Sequence, residues 1–287
     1  MTPTPKPSKT AVMSGIVALG DLTVHRLGFG AMRITGAGVW GPPEDRSEAL
    51  RVLRRAVDLG ITFIDTANSY GPHISETLIA EALAPYPSDL VIGTKGGFER
   101  PGPGQWRTNG HPEHLRAELE GSLRRLKLER IDLYQLHRID PAVPEDEQFG
   151  VLQAFQREGT VRHIGLSEVS VDQVVRARQS FPVVSVQNRY NVIDRQSEDV
   201  VRYCEREGIA FIPWYPLLVG KVGQTSSALT ALATAHGVSP MQMALAWLLA
   251  RSPVMLPIPG TSRVDHLEEN VAAAAIRVSS AEIAGLD

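Results

Sequence analysis

Cysteine is almost missing from the 287-residue chain, where Cys204 stands alone. No disulfide can close within the chain, and a cysteine-based zinc site is excluded. Such usage suits a reducing, cytoplasmic setting. An excess of one charge is missing too. Lys and Arg total 29 against 32 Asp and Glu, a net charge of −3. Nucleic acid and anionic membrane surfaces are therefore poor main partners. Long hydrophobic runs are absent: the longest, residues 243–250, falls far short of the roughly 20 residues that cross a bilayer. The opening stretch carries Pro3, Pro5 and Pro7 with no apolar signal-peptide core behind them, so residues 1–13 read as a disordered tail.

What is present is a rhythm. Short apolar runs at 27–31, 61–65, 90–94, 131–136, 163–167, 183–187, 209–213 and 254–258 alternate with amphipathic stretches. Those stretches lie at 46–59, 75–83, 112–128, 145–158, 171–178, 194–207, 240–251 and 264–274. The runs are rich in Ile, Val, Leu and Phe and show little alternation, as strands covered on both faces do. The stretches carry helical stripes, such as Leu115, Leu119, Leu123 and Leu126. Gly60 marks a helix stop, Ser75 a cap, and Ser239-Pro240 a cap followed by a first-turn proline. Residues 16–25, turning at Gly20-Asp21, read as a β-hairpin ahead of the first strand. Eight strand–helix pairs predict an α/β fold, a (β/α)8 TIM barrel with an N-terminal β-hairpin, spanning 14–287 as one domain. A doubly wound sheet is the rival. Gly36, Gly38 and Gly41 match GxGxxG literally, but Pro42-Pro43 follow where a helix should open, so a glycine-rich loop is expected.

In a barrel, reactive groups gather at the carboxyl ends of strands. The second run ends at Asp65, with Tyr70 in the loop behind it. The third leads to Lys95 and the fourth to His137. A free phenol is a weak acid at neutral pH. A neighbouring ammonium draws it toward phenolate, and Asp65 can hold Lys95 charged. His137 can orient a carbonyl oxygen. Together the four can polarise and protonate a C=O while another group delivers hydride. Taken singly, each has a structural reading: a turn cap for Asp65, a solvated Lys95, a loop anchor for Tyr70, a core histidine for His137. No metal-ligand spacing surrounds His137.

At these residues the chain resembles the aldo-keto reductases. The resemblance runs through Asp65-Thr66-Ala67 to Tyr70-Gly71 and Ser75-Glu76, Thr94-Lys95, residues 131–137, 161–167, 187–191, and 258–262 with 267–270. It implies a barrel that reduces an aldehyde or ketone with NADPH, NADH not being excluded. Tyr70 would be the acid, Asp65 and Lys95 its tuners, and His137 the carbonyl-orienting group. Ser167, Glu168 and Gln187 would meet the nicotinamide amide, and Trp214 or Tyr215, with Pro216 and Leu217, its ring. Gly260, Thr261, Ser262, Arg263, His266, Glu269 and Asn270 would hold the adenosine end. Met32, Trp40, Phe98 and Trp106 are expected to wall a substrate pocket. Glu168 stands where many relatives carry Asn, and an ionised carboxylate cannot donate to an amide oxygen. His266 replaces a frequent Arg, with Arg263 nearby to compensate. The implied partner is a small carbonyl compound, on a monomer by default. A redox-sensing, cofactor-binding regulatory subunit and a Schiff-base aldolase using Lys95 are the alternatives.

Overall fold

The computed structural model describes residues 9–286. Eleven strands form: β1 (Ile16–Leu19), β2 (Leu22–His25), β3 (Phe29–Gly30), β4 (Phe63–Asp65), β5 (Val91–Gly96), β6 (Phe98–Glu99), β7 (Arg107–Thr108), β8 (Ile131–Leu136), β9 (Val161–Ser167), β10 (Val183–Gln187) and β11 (Ala210–Phe211). Seven of them make one parallel sheet in the order β11-β10-β9-β8-β5-β4-β3. Every residue of β5 is buried, as expected of a strand covered on both faces.

Residues 254–259 close this sheet into a barrel. On one side Phe211 N–H donates to the Val254 carbonyl at 2.9 Å and Leu256 N–H to the Phe211 carbonyl at 2.8 Å. On the other side Gly28 N–H reaches the Pro257 carbonyl at 3.0 Å and Gly30 N–H the Pro259 carbonyl at 3.4 Å. The eighth stave is thus the expected 254–258 run, but it is no regular strand. Pro257 and Pro259 have no N–H to give, so its ladder stays incomplete.

Six helices follow the strands: α1 (Arg46–Asp58), α2 (Ile74–Leu83), α3 (Pro112–Leu126), α4 (Glu145–Arg157), α5 (Val171–Ala177) and α6 (Glu198–Glu207). Five more lie beyond: α7 (Val222–Thr225), α8 (Ser227–Ala235), α9 (Pro240–Arg251), α10 (Val264–Ala272) and α11 (Ser280–Ala284). Caps set several boundaries. Asp45 accepts the Glu48 N–H at 2.8 Å to open α1, and Gly60, at φ +88°, turns the chain away after it. Ser239 and Gln242 form a capping box ahead of Pro240.

The hairpin β1–β2 plugs one end of the barrel. Val17, Leu19 and Val24 pack with Phe63, Val91, Leu133, Ile212 and Leu256 in the barrel interior. Asp21 at its turn pairs with Arg162 and His163 at the start of β9. The opposite end, where β4, β5, β8 and β9 finish, stays open for a site.

Some expectations need correction. Residues 1–8 lie outside the described residues, but the rest of the expected tail is built into the fold. Thr10–Ser14 is a 3₁₀ turn with Ala11 fully buried and bonded to the Leu59 carbonyl at 3.0 Å. Ser75 does not cap α2. His73 takes that place in a left-handed conformation, while the Ser75 hydroxyl is drawn inward to Thr66 and the Ala31 carbonyl. The start of α6 moves from 194 to Glu198 because Asn191 Oδ1 accepts the Ile193 and Asp194 N–H groups in a turn. The 36–41 segment is a loop with a 3₁₀ turn and no helix opening from it, as its prolines imply. The hairpin β6–β7 and helix α8 were not foreseen. Cys204 is buried in α6 with its thiol pushed up to about 12 by burial, so it is chemically inert.

Candidate active site

Parallel register brings the four candidates together at the open end. Asp65 is the last residue of β4 and pairs with Gly93 of β5. Two residues on, Lys95 pairs with Gln135 of β8, and His137 follows directly after β8. Tyr70 descends from the turn after β4. The Lys95 ammonium donates to Asp65 Oδ2 at 2.7 Å, to the Thr66 carbonyl at 2.9 Å and to the Tyr70 oxygen at 3.4 Å. Lys95 is 0% exposed and Asp65 2%. A charge pair removed from water this fully holds only because its other valences are met. Asp65 Oδ1 accepts from Gln187 at 2.9 Å and from Gln135 at 3.2 Å.

The electrostatics follow from burial and from the one ammonium. Burial acts to lower the Lys95 ammonium, but Asp65 and Tyr70 outweigh it, and Lys95 lies above its ordinary value. Burial holds the Tyr70 phenol above its usual range, and Lys95 opposes that rise without cancelling it. The sequence had suggested a net lowering. The structure reverses the sign because the phenol is desolvated along with its neighbour. His137 is held well below the usual imidazole range, first by burial, then by Lys95 and Arg138. It is therefore neutral. Among the described residues its buried Nδ1 has no hydrogen-bond partner, which favours the proton on Nε2.

Asp65, Tyr70 and His137 border a cavity of about 790 Å³, and Lys95 is buried behind them. Phe98 lies edge-on to His137 with ring centres 4.7 Å apart, and Trp106 lies 6.5 Å from Tyr70. Met32, Phe98 and Trp106 line the cavity. Trp40 does not. It bridges to Gly71 and lies with Trp106 against the Arg100 guanidinium, behind the wall.

From this end the cavity runs past Ser167, Gln187, Trp214, Tyr215, Pro216 and Leu217 to Gly260, Thr261, Ser262, His266, Glu269 and Asn270. Glu168 and Arg263 are outside its walls. Glu168, at φ +55°, turns its carboxylate to the Arg189 N–H at 2.6 Å and the Trp214 indole N–H at 2.5 Å. Arg263 pairs with Asp265 at the surface. Arg33 and Arg138, from the segments 32–40 and 138–144 expected to wall the pocket, line the cavity; Met241 lines it without having been foreseen, and Gln135 donates to Asp65 from β8. Gln135 was legible, since strand alternation puts it on the same face as His137. Met241 comes from α9, which no local signal connects to the rim.

The donor set suits a nicotinamide dinucleotide. Gln187 spends its N–H on Asp65 and keeps Oε1 for an amide N–H, while the Ser167 hydroxyl accepts from Arg138 at 3.0 Å and keeps its own proton for an amide oxygen. Trp214 and Tyr215 offer flat apolar surface between that end and the polar groups of 260–270. Among the described residues no group of three or more His, Cys, Asp or Glu is placed to hold a metal ion.

A barrel with a buried Asp–Lys–Tyr set and an amide-matching cleft defines a nicotinamide-linked oxidoreductase. The chain belongs to the aldo/keto reductase family, whose model matches residues 26–287. It is similar to an uncharacterised oxidoreductase of Schizosaccharomyces pombe, at 53% identity over 98% of this chain and 94% of that one. It is 42% identical to pyridoxine 4-dehydrogenase of Escherichia coli, over 96% of this chain and 98% of that one. A solved aldo/keto reductase from Klebsiella pneumoniae, in complex with NADP and acetate, superposes with a TM-score of 0.79 at 25% identity. It covers 95% of this chain and 94% of that one. The chain is an NAD(P)H-dependent oxidoreductase. No helix among the described residues is long and apolar enough to cross a membrane.

Proposed function

We propose that the protein reduces an aldehyde or ketone to an alcohol with NADPH, the proton coming from Tyr70. One observation carries this reading: a single buried ammonium, Lys95, touches both Asp65 and the Tyr70 oxygen where the cavity also meets His137. When bound, the nicotinamide supplies the hydride. His137 Nε2–H and the Tyr70 hydroxyl take the carbonyl oxygen between them and fix its position. As negative charge gathers on that oxygen, the Tyr70 proton moves to it. An alkoxide is far more basic than a phenolate, so a phenol kept protonated by burial still gives up its proton. The charge left on Tyr70 is met by Lys95 at 3.4 Å. Asp65, clamped by Gln135 and Gln187, keeps that ammonium in place. The same residues serve alcohol oxidation in reverse.

NADPH is favoured by the NADP-bound relative and by the polar groups of 260–270. The Arg263–Asp265 pair is solvent-exposed and screened, so Arg263 is available to a 2′-phosphate. Pyridoxine and its 4-aldehyde belong in the first substrate panel because of the Escherichia coli relative.

The test is Tyr70→Phe, with NADPH and NADH titrations of both proteins by fluorescence. Turnover should fall by about 10²–10⁴-fold, the usual contribution of a placed acid, with NADPH affinity retained. Reduction that survives in Tyr70→Phe rejects Tyr70 as the acid. Tight NADPH binding with no turnover on any carbonyl supports a regulatory subunit instead.

A further inference from the structure

The chemistry above leaves Arg138, a charged residue of the cavity, unused. Arg138 lines it one position beyond His137. Its Nη1 donates to the His137 carbonyl at 2.5 Å and to Ser167 Oγ at 3.0 Å. Its Nε and Nη2 have no hydrogen-bond partner among the described residues, and no carboxylate there forms an ion pair with it. Glu168, the carboxylate whose charge it feels, is engaged by the Arg189 and Trp214 N–H groups. Withdrawing a guanidinium from water without a counter-ion is costly. An anion entering the cavity would recover that cost.

Its place suggests which anion. The guanidinium carbon lies 5.6 Å from the centre of the Phe98 ring, which also packs against His137 at 4.7 Å and Trp106 at 5.5 Å. One flat apolar wall therefore joins the carbonyl-orienting imidazole to the free guanidinium donors. A planar substrate held at His137 and Tyr70 would bring an oxygen beside its carbonyl toward Arg138. Guanidinium is suited to such an oxygen because it offers several fixed donors.

We propose that Arg138 is a specificity-determining residue that binds a second, anionic oxygen of the substrate, so that the preferred carbonyl compounds carry a carboxylate or an ionised hydroxyl next to the C=O. This rests on the carbonyl-reductase reading above. The rival role for Arg138 is donation to the nicotinamide amide oxygen, in place of the donor that Glu168 lacks.

The experiment compares benzaldehyde, 2-carboxybenzaldehyde, 2-hydroxybenzaldehyde and 4-carboxybenzaldehyde with the wild type, Arg138→Met and Arg138→Lys. Turnover is measured with NADPH, and dissociation constants are measured by calorimetry on the NADP⁺-loaded protein. In the wild type, at least one 2-substituted anion should exceed both benzaldehyde and the 4-carboxy isomer by about 10-fold or more in kcat/KM. Arg138→Met should lower that ratio by about 30-fold, mainly through KM, as loss of a charged hydrogen bond does. Arg138→Lys should restore part of it, and NADPH affinity should move less than about threefold in both variants. The 2-carboxy and 2-hydroxy arms separate a carboxylate from a phenolate.

A wild type that treats the 2-substituted anions like benzaldehyde overturns the proposal, whatever the variants do. So does an Arg138→Met protein that loses NADPH affinity and slows all four aldehydes alike, which assigns Arg138 to the nicotinamide amide. If no aldehyde is reduced yet 2-carboxybenzaldehyde binds in an Arg138-dependent way, the subsite stands and the reductase reading falls. Reduction of all four aldehydes without discrimination removes the subsite and leaves the reductase reading in place.

Discussion

The two ends of the cavity are built on opposite terms. At the barrel rim Asp65, Lys95, Tyr70 and His137 are almost sealed from water and fixed to strand ends or to the turn behind one. Asp65, Lys95 and Tyr70 are joined to one another and to neighbouring protein groups by hydrogen bonds. At the far end, Ser262, Arg263 and His266 are exposed, on a loop and the first turn of α10. Among the described residues the Arg263 guanidinium is engaged only by a surface aspartate, Asp265. The rim is organised before anything binds, which suits charge stabilisation that must not wait for side chains to move. The far end has donors to spare and water around them, which suits adjustable recognition of a phosphate. Between the two, Glu168 and Tyr215 hold left-handed backbone conformations at φ +55° and +61°, a strain that residues of this kind sustain only where surrounding structure imposes it.

The contrast can be broken most sharply at Lys95. Lys95→Met leaves the Asp65 carboxylate buried without its counter-ion, which costs about 3–5 kcal/mol. Urea unfolding should show that loss, and turnover should drop by at least 100-fold, about the smallest effect of losing a placed acid's support. A Lys95→Met protein of wild-type stability would mean that the rim is not pre-organised. The sign of the shift adds a check. Lys95 is raised in the folded state, so the pair's stabilisation is fully present below the unfolded lysine value of about 10.4 and fades only above it. Acidification through neutral pH should leave this contribution intact as far as Lys95 governs it.

At the other end, His266→Arg should tighten NADPH by about 10-fold while leaving NADH nearly unchanged, as a charged hydrogen bond to a phosphate does. Fluorescence titration measures both. Equal tightening of the two cofactors would place the residue near the pyrophosphate instead. Raising the salt concentration should weaken NADPH binding there by a few-fold, because the groups are exposed and screened.

The smallest effect is expected in the pH profile of kcat/KM for reduction. His137 is neutral well below its ordinary range and Tyr70 stays protonated above its own. Between about pH 6 and pH 9 the profile should vary by less than about twofold. An acid limb near pH 6.5 would show that His137 is charged in the working enzyme, and so less desolvated than its burial implies.

How far the site was legible depends on the residue. Asp65, Lys95 and His137 could be read because each ends or follows an apolar run, where a polar residue stands out. Gln135 was readable in principle from strand alternation and was overlooked among the apolar residues of its own run. Trp40 was misplaced in the wall because aromaticity marks a surface, not the side from which it is seen. Arg138 followed His137 in plain view, but its lack of a counter-ion exists only in three dimensions. The net effect on Tyr70 could not be read at all, since it balances one ammonium against the desolvation of the whole rim.

The chain by itself determined the barrel. Periodicity, caps and glycine stops are local, so they survive in a one-dimensional reading, and they placed most helices within a few residues. Only the tertiary structure decided which polar groups ended up buried, paired or open. It showed that residues 254–259 close the sheet despite Pro257 and Pro259, because their carbonyls still accept from both neighbours. It also showed that Glu168 turns away from the cavity while Arg138 turns into it. Those outcomes depend on distances between strands far apart in sequence, where burial and charge are settled together.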